Sequence, residues 1–151
     1  MSEDLSQDAL RLLHQRHSGA LATYSVATPG FPFVSAAPYA LNENGNCIFL
    51  FSSLSTHSKN LRANDQSSLL VTGSEGDLSE ARLTLQGHVR PVAEARASAA
   101  KAKYLEIHPS AAQWANFGDF SMMEFCPVAC YFVGGFGKMG WLKSDQWNTE
   151  A

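Results

Sequence analysis

The feature that most constrains the fold is a strict alternation of apolar and polar residues over positions 82–89. Successive side chains of a β-strand point to opposite faces, so this pattern predicts a strand with two chemically different faces. The apolar face carries Leu83, Leu85 and Val89. The polar face carries Arg82, Thr84, Gln86 and His88. Four hydrogen-bonding side chains on one face are typical of a solvated surface, a dimer interface or the edge of a heterocycle site.

The rest of the chain predicts further short strands, separated by turns and by three helices. Strands are expected at 19–26, 33–41, 47–52 and 69–73, followed by a final hairpin around Pro127, at 121–126 and 129–133. Amphipathic or alanine-rich segments predict helices at 2–17, 57–63 and 94–108. Many short strands with hairpin-length loops predict a mainly β fold, an antiparallel barrel with helices packed outside it.

Length and composition narrow the class of protein further. The 151 residues suit a single domain over 1–151, because no repeat or linker divides them. A net charge of −3 argues against a nucleic-acid partner. The polar N-terminus and the lack of a long apolar run predict neither a secretory signal nor a membrane partner. Three cysteines without a Cys-x-x-Cys pair favour a reducing, cytoplasmic location.

A bend rich in hydroxyl groups, at positions 51–62, is the first candidate site. Its serines leave a strand end and meet the start of a predicted helix, where unpaired backbone N–H groups and the helix dipole favour an anion. Lys59 and Arg62 lie one turn apart and can add charge-assisted hydrogen bonds. The bend therefore predicts a cradle for a terminal phosphate. The alternative is a capped surface helix with solvated cations.

Gln86 and the glycine-rich segment 134–141 are the other candidates. Gln86 precedes Gly87, whose missing side chain lets a ligand or another backbone approach closely. The glycines of 134–141 permit an unusual backbone path, and Trp141 offers a flat face for stacking. A glycine-rich barrel corner is the alternative interpretation. His14 and His17 lack a third ligand, so no metal site is predicted, and no catalytic triad or carboxylate pair stands out.

A resemblance to a known family rests on four segments: 33–41, 52–61, 82–87 and 133–137. Together they resemble the pyridoxamine 5′-phosphate oxidase-like FMN-binding split barrels. They are similar to the branch of that superfamily that contains the HugZ-type haem-utilisation proteins. The resemblance implies a six-stranded split barrel that forms a homodimer, with two FMN sites between the subunits.

The same resemblance implies which residues bind the cofactor. It places the phosphate at Ser52, Ser53, Ser58 and Lys59, in the bend that also contains His57. It places the flavin ring beside the segment from Ser35 to Tyr39, with Gln86 and Trp141 as neighbours.

The function implied is that of a flavin-dependent oxidoreductase, in which FMN carries the redox chemistry on a small-molecule substrate. One alternative is a haem-binding or haem-degrading protein, with His57 or His88 as the axial donor. Another is a non-catalytic dimeric module that has kept the fold and lost the cofactor. A deazaflavin in place of FMN is also open, because both ligands carry a phosphate in a similar place.

Overall fold

The computed structural model describes residues 2–74, 79–135 and 137–143. Within these ranges the chain forms three α-helices, one 3₁₀ helix and eight β-strands. The first part contains α1 (Ser2–Gln15), β1 (Ser18–Tyr24), β2 (Pro32–Pro38), β3 (Ala40–Leu41), β4 (Cys47–Ser52), α2 (Thr56–Ala63) and β5 (Gln66–Thr72). The second part contains β6 (Arg82–Pro91), α3 (Glu94–Ile107), a 3₁₀ helix (Pro109–Gln113), β7 (Phe120–Val133) and β8 (Met139–Lys143). None of the described helices is both long enough and apolar enough to cross a membrane.

The antiparallel strands close into a barrel. Their order in the sheet is β2–β1–β5–β6–β7–β4–β3, and β8 pairs with the C-terminal part of β7. The two ends of this order, β2 and β3, are separated in sequence only by Tyr39. Because β2 pairs with β1 and β3 pairs with β4, the segment 32–41 joins the two ends of the sheet. The wall therefore has six strands when β2 and β3 count as one, as the resemblance implies, and β8 is an additional strand.

The predicted alternation is confirmed along β6. Leu83, Leu85 and Val89 are at most 2% exposed and belong to the barrel core. On the opposite face, Gln86 is exposed and His88 is partly buried. Solvent-facing polar groups and core-facing apolar groups thus fix the register of this strand, because a shift of one residue would exchange the two faces.

The predicted hairpin around Pro127 is wrong, because β7 is one continuous strand. Proline lacks a backbone N–H and normally interrupts a strand. Pro127 lies opposite Gly87, however, and the register between β6 and β7 shifts between Gln86 and Gly87. The extra residue of this bulge is Val128 of β7, which has no partner on β6, so the ladder is interrupted beside Pro127 and the strand accommodates proline there. A Cβ atom at Gly87 would overlap the carbonyl oxygen of Cys126, so glycine allows the two strands to approach.

Most other predicted elements lie where the sequence places them. Strand β4 occupies the predicted positions 47–52 without change. The predicted strand 33–41 is divided at Tyr39, and α1 ends at Gln15, two residues earlier than predicted. Strand β8 has no counterpart among the predicted strands.

Two apolar clusters hold the helices against the barrel. Helix α1 contributes to the barrel core the residues that helical spacing predicts: Leu5, Ala9, Leu12 and Leu13. Helix α3 packs against β3 and β4 through a second cluster that includes Tyr104 and Ile48. Burial of such side chains contributes roughly 25 cal/mol per Å² of apolar surface removed from water. On β1, β2 and β5, by contrast, several outward apolar side chains stay exposed: Tyr24, Val34 and Leu70.

Candidate functional site

A cleft on the outer face of the barrel is lined by residues of β1, β2, β5, β6 and β7. It encloses about 380 Å³, and its walls include Tyr24, Gln86, His88 and Val128. Gly87 also lines the cleft, so a ligand meets backbone there instead of a side chain. A concave site with mixed polar and apolar walls suits a small organic molecule. Gln86, predicted as a cofactor neighbour, therefore lies in the wall of an open cleft.

A histidine in the cleft wall, His88, forms an imidazole–carboxylate pair with Asp65, which is not among the described lining residues of the cleft. Asp65 directly precedes β5, and its backbone carbonyl accepts from the N–H of Val89 at 2.9 Å. His88 Nδ1 and Asp65 Oδ1 are 2.6 Å apart, and Arg90 Nε donates to Asp65 Oδ2 at 3.1 Å. The hydrogen bond with His88, and next that from Arg90, hold the pKa of Asp65 below its ordinary value. The ionised carboxylate therefore favours the imidazole tautomer with its proton on Nδ1.

This arrangement leaves Nε2 as the free nitrogen of the His88 ring. Within the part of the chain that the structure describes, Nε2 of His88 makes no hydrogen bond. A carboxylate on the far nitrogen is the contact that orients histidine ligands of metals and raises their basicity. His88 is thus suited to bind a metal carried by a cofactor in the cleft.

Ser35 and His57, both predicted site residues, are brought together by the fold. Ser35 Oγ and His57 Nδ1 are 3.3 Å apart, and the His57 ring packs on Phe51 with centroids 4.1 Å apart. Burial lowers the pKa of His57, which favours the neutral ring. Its Nε2 atom is buried and has no hydrogen-bond partner among the described residues. Because that nitrogen is enclosed, it is less accessible to a large cofactor than Nε2 of His88.

The hydroxyl-rich bend is held by hydrogen bonds within the chain. Ser52 Oγ donates to Asp119 Oδ2 at 2.6 Å, and the Ser53 N–H donates to the Asp119 carbonyl at 2.7 Å. Ser55 caps α2, and its hydroxyl donates to the Ser58 hydroxyl at 2.9 Å. The Asp119 carboxylate thus places a negative charge at the hydroxyl that was predicted to bind a phosphate.

The two cations of the bend have different surroundings. Lys59 is exposed, whereas the Arg62 guanidinium donates to the Ser53 carbonyl at 3.2 Å. Arg62 also lines a second cavity, of about 400 Å³, together with Ser53, Ser58 and Arg90. Lys59 and Ser52 are not among the described walls of that cavity. Ser53 and Ser58 are thus the members of the predicted phosphate-binding set that line this cavity.

Tyr39 and Trp141 are the remaining predicted site residues, and they lie in contrasting environments. Tyr39 is fully buried, its hydroxyl donates to the carbonyl of Leu13 at 2.8 Å, and burial raises the pKa of Tyr39. Trp141, on β8, is 61% exposed and packs beside Tyr131 with ring centroids 5.1 Å apart. Tyr39 thus belongs to the junction of β2 and β3, whereas Trp141 presents a free face for stacking. Of the glycine-rich segment 134–141, Phe136 lies outside the described residues.

Two acidic residues complete these contacts, and sequence reasoning missed both. Asp65 follows the C-cap of α2, and Asp119 directly precedes β7. Acidic residues are common in turns for local reasons, so neither position draws attention. Their partners, His88 and Ser52, lie 23 and 67 positions away along the chain. The sequence signal that could have revealed Asp65 is its position a few residues before a predicted strand. Antiparallel pairing of that strand with 82–89 brings Asp65 close to His88.

The sequence matches a known family over nearly its whole length. Residues 2–149 match the family described as CREG, beta-barrel. The chain is 38% identical over 132 residues to the non-canonical haem oxygenase HOZ, chloroplastic, of Arabidopsis thaliana. This match covers 87% of the chain and 40% of HOZ, so the chain spans less than half the length of that relative.

Solved structures share the fold. The haem-binding protein from Mycobacterium smegmatis has a TM-score of 0.85 at 25% identity, over 95% of this chain and 60% of that protein. HutZ, the haem storage protein from Vibrio cholerae, has a TM-score of 0.69 at 22% identity, over 92% of this chain and 94% of HutZ, and shows the fold alone. The two structures confirm the split-barrel fold. The names of HOZ and of the Mycobacterium smegmatis protein support the haem-related branch of the resemblance, and neither name refers to FMN. The chain belongs to the CREG β-barrel family.

Proposed function

We propose that this chain binds haem in the outer cleft, with Nε2 of His88 as the ligand to the iron. The observation that carries the proposal is the His88–Asp65 pair, in which a carboxylate at 2.6 Å orients an imidazole whose other nitrogen is free. Support also comes from two relatives, which are named for haem oxygenation and for haem binding.

The cleft fits a flat, mostly apolar ring with a metal at its centre. Tyr24 and Val128 supply apolar contact surface, and Gly87 keeps one part of the wall free of side chains. A volume of about 380 Å³ lies at the small end of ligand pockets, so part of a large ring extends out of the cleft. The proposal therefore requires a cover for the exposed part of the ring.

In this proposal the cover is a second copy of the chain, so the protein acts as a homodimer. Leu70, Val128 and Trp141 are 41%, 54% and 61% exposed on the outer face of the sheet. Strand pairing places Leu70, Thr84, Tyr131 and Trp141 in one row across β5, β6, β7 and β8. An exposed apolar surface of this kind is typical of a protein interface.

FMN, the cofactor predicted from the sequence, has weaker support. Its phosphate would need the Ser52 hydroxyl, which donates to the Asp119 carboxylate at 2.6 Å. A phosphate at that point meets a negative charge, and the exposed Lys59 makes no contact with the bend that compensates for it within the described residues. The bend therefore lends no support to FMN as the cofactor of this chain.

The residues of the cleft have distinct tasks in haem binding. Haem supplies an iron that changes oxidation state and takes up small ligands. His88 offers the lone pair of Nε2, and Asp65 keeps the proton of the ring on Nδ1. Arg90 donates to the second carboxylate oxygen of Asp65, and this contact opposes rotation of the carboxylate away from the imidazole. Gln86 shares the outer face of β6 with His88 and adds an amide to the cleft wall.

A haemin titration of the full chain, followed by absorption spectroscopy, tests this proposal. A saturable, sharpened Soret band is expected for the unsubstituted chain. His88→Ala is expected to weaken haem binding by roughly tenfold or more, because removal of a ligand costs more than the loss of its outer partner. His57→Ala is expected to keep the unsubstituted Soret band, because its Nε2 atom is enclosed.

Two outcomes contradict the proposal. Release of FMN from the purified protein, without a Soret response to haemin, would restore the flavin hypothesis. Loss of the Soret band in His57→Ala, with His88→Ala unaffected, would show that the ligand is assigned to the wrong histidine.

A further inference from the structure

A third cavity, on a different side of the molecule, is lined in part by basic side chains. It encloses about 240 Å³ between the end of α1, strand β3 and helix α3. Four of its lining residues carry basic groups: His14, Arg16, His17 and Lys103. All four are exposed, so the cavity is open to a solute. None of the described lining residues is an aspartate or a glutamate.

These four basic groups have no ionic partner within the described residues. The ion pairs of that part of the chain use other residues, namely Arg11, His88, Arg90 and Arg96. The whole chain carries 14 acidic residues against 11 lysines and arginines, so acidic partners are not scarce. Arg16 and Lys103 carry the permanent positive charges of this cavity, and two unpaired charges of one sign around one concavity attract an ion of the opposite sign.

The dipole of α1 explains only part of this cluster. Cations near a helix C-terminus are favoured by the carbonyl groups there, and His14 lies in the last turn of α1. Lys103 comes from α3, which has no basic residue in its own last turn. It approaches the cavity from the opposite wall, so a helix-end effect does not account for its position.

We propose that this cavity binds the phosphate group of a small metabolite. The planar guanidinium of Arg16 can donate two parallel hydrogen bonds to phosphate oxygens, and the Lys103 ammonium adds a compact charge from the other wall. The cavity volume suits one small anion. Leu13 and Ile107 give the cavity an apolar side, which suits the organic part of such a metabolite.

This site is independent of haem binding, since it shares no lining residue with the outer cleft. Calorimetric titration of the full chain with inorganic phosphate tests it, at constant ionic strength maintained with chloride. Saturable binding is expected. The double variant Arg16→Ala with Lys103→Ala is expected to weaken it by about tenfold or more, because two charge-assisted hydrogen bonds are lost.

The matched control removes one arginine from α1, the helix that ends just before Arg16, and one lysine from α3, both at positions outside the cavity. It combines Arg11→Ala with Lys101→Ala, and phosphate affinity is expected to stay within about twofold. Circular dichroism verifies that both double variants fold. If the Arg16→Ala, Lys103→Ala variant does not fold, the double variant Arg16→Gln with Lys103→Gln takes its place. A heat signal that does not saturate, or an equal loss of affinity in both double variants, would overturn the proposal.

Discussion

Asp65 shows how one side chain links two parts of the molecule. One oxygen of its carboxylate pairs with His88 in the outer cleft, and the other accepts from Arg90. Arg90 also lines the second cavity, on the side of the bend. Both partners stabilise the ionised carboxyl, so the folded chain binds this proton more weakly than the unfolded chain does. The contacts that orient His88 therefore also make the stability of the fold depend on pH.

Replacement of Asp65 by asparagine is expected to reduce that dependence. The pKa of Asp65 in the fold lies below its ordinary value of 3.8, so its contribution to the free energy of unfolding is complete above that value. The contribution disappears as the pH falls through the folded-state pKa. Urea unfolding is measured at several pH values from about 6 down to about 2.5. As the pH falls, the urea midpoint is expected to decrease more steeply for the unsubstituted chain than for Asp65→Asn.

The control for this experiment is Asp8→Asn, which removes a carboxylate from an exposed ion pair with Arg11. Exposed pairs contribute little, so Asp8→Asn is expected to follow the unsubstituted chain. If Asp65→Asn follows it too, the contacts of Asp65 do not stabilise the fold.

At the scale of the elements, the bulge opposite Gly87, where β7 carries Val128 as an extra residue, shapes the candidate site. Gly87 lies between Gln86 and His88, and a Cβ atom there would overlap the Cys126 carbonyl oxygen and lie 2.8 Å from Pro127 Cα. Gly87→Ala is therefore expected to separate β6 from β7 and to destabilise the fold by about 1–3 kcal/mol, the usual range for overpacking. The same displacement moves His88 away from Asp65. Thermal or urea unfolding measures the first effect, and the imidazole NMR signals of His88 report the second.

Gly118→Ala is the matched control, because no atom lies within 4 Å of the Cβ position at Gly118. Its stability is expected to stay within about 0.5 kcal/mol of the unsubstituted chain. A Gly87→Ala protein as stable as Gly118→Ala would show that the two strands do not need the close approach.

The same bulge marks the limit of what the sequence predicts at this scale. Strand β4 was predicted to the residue, because a turn-rich segment and an apolar run define its ends locally. Pro127 was misread as a turn, because its acceptance within β7 depends on Gly87, which is far away in sequence and opposite in space. The site follows the same rule. Gln86 and His88 were found from local alternation, whereas the partners Asp65 and Asp119 become evident only when the strands are paired.

At the scale of the whole molecule, the exposed apolar side chains of the outer face bear on whether two copies of the chain associate. Val34 on β2, Leu70 on β5 and Trp141 on β8 are between 41% and 61% exposed. These strands also form or adjoin the outer cleft, so one surface would serve both cofactor binding and association. A ring that extends out of the cleft would then be enclosed only when two chains meet. Association and haem binding are accordingly expected to strengthen one another.

Leu70→Glu tests this link, because it places a charge in the apolar row on both copies of the chain. Unpaired or like charges at an interface are costly, so the dimer dissociation constant is expected to rise roughly 100-fold or more. Sedimentation equilibrium measures that constant, and a haemin titration of the same sample is expected to show weaker binding. Phe117→Glu is the control: Phe117 is 59% exposed but lies between the 3₁₀ helix and β7, outside the strand rows. A Leu70→Glu chain that stays dimeric would refute this interface, and one that becomes monomeric yet binds haem with full affinity would show that a single copy completes the site.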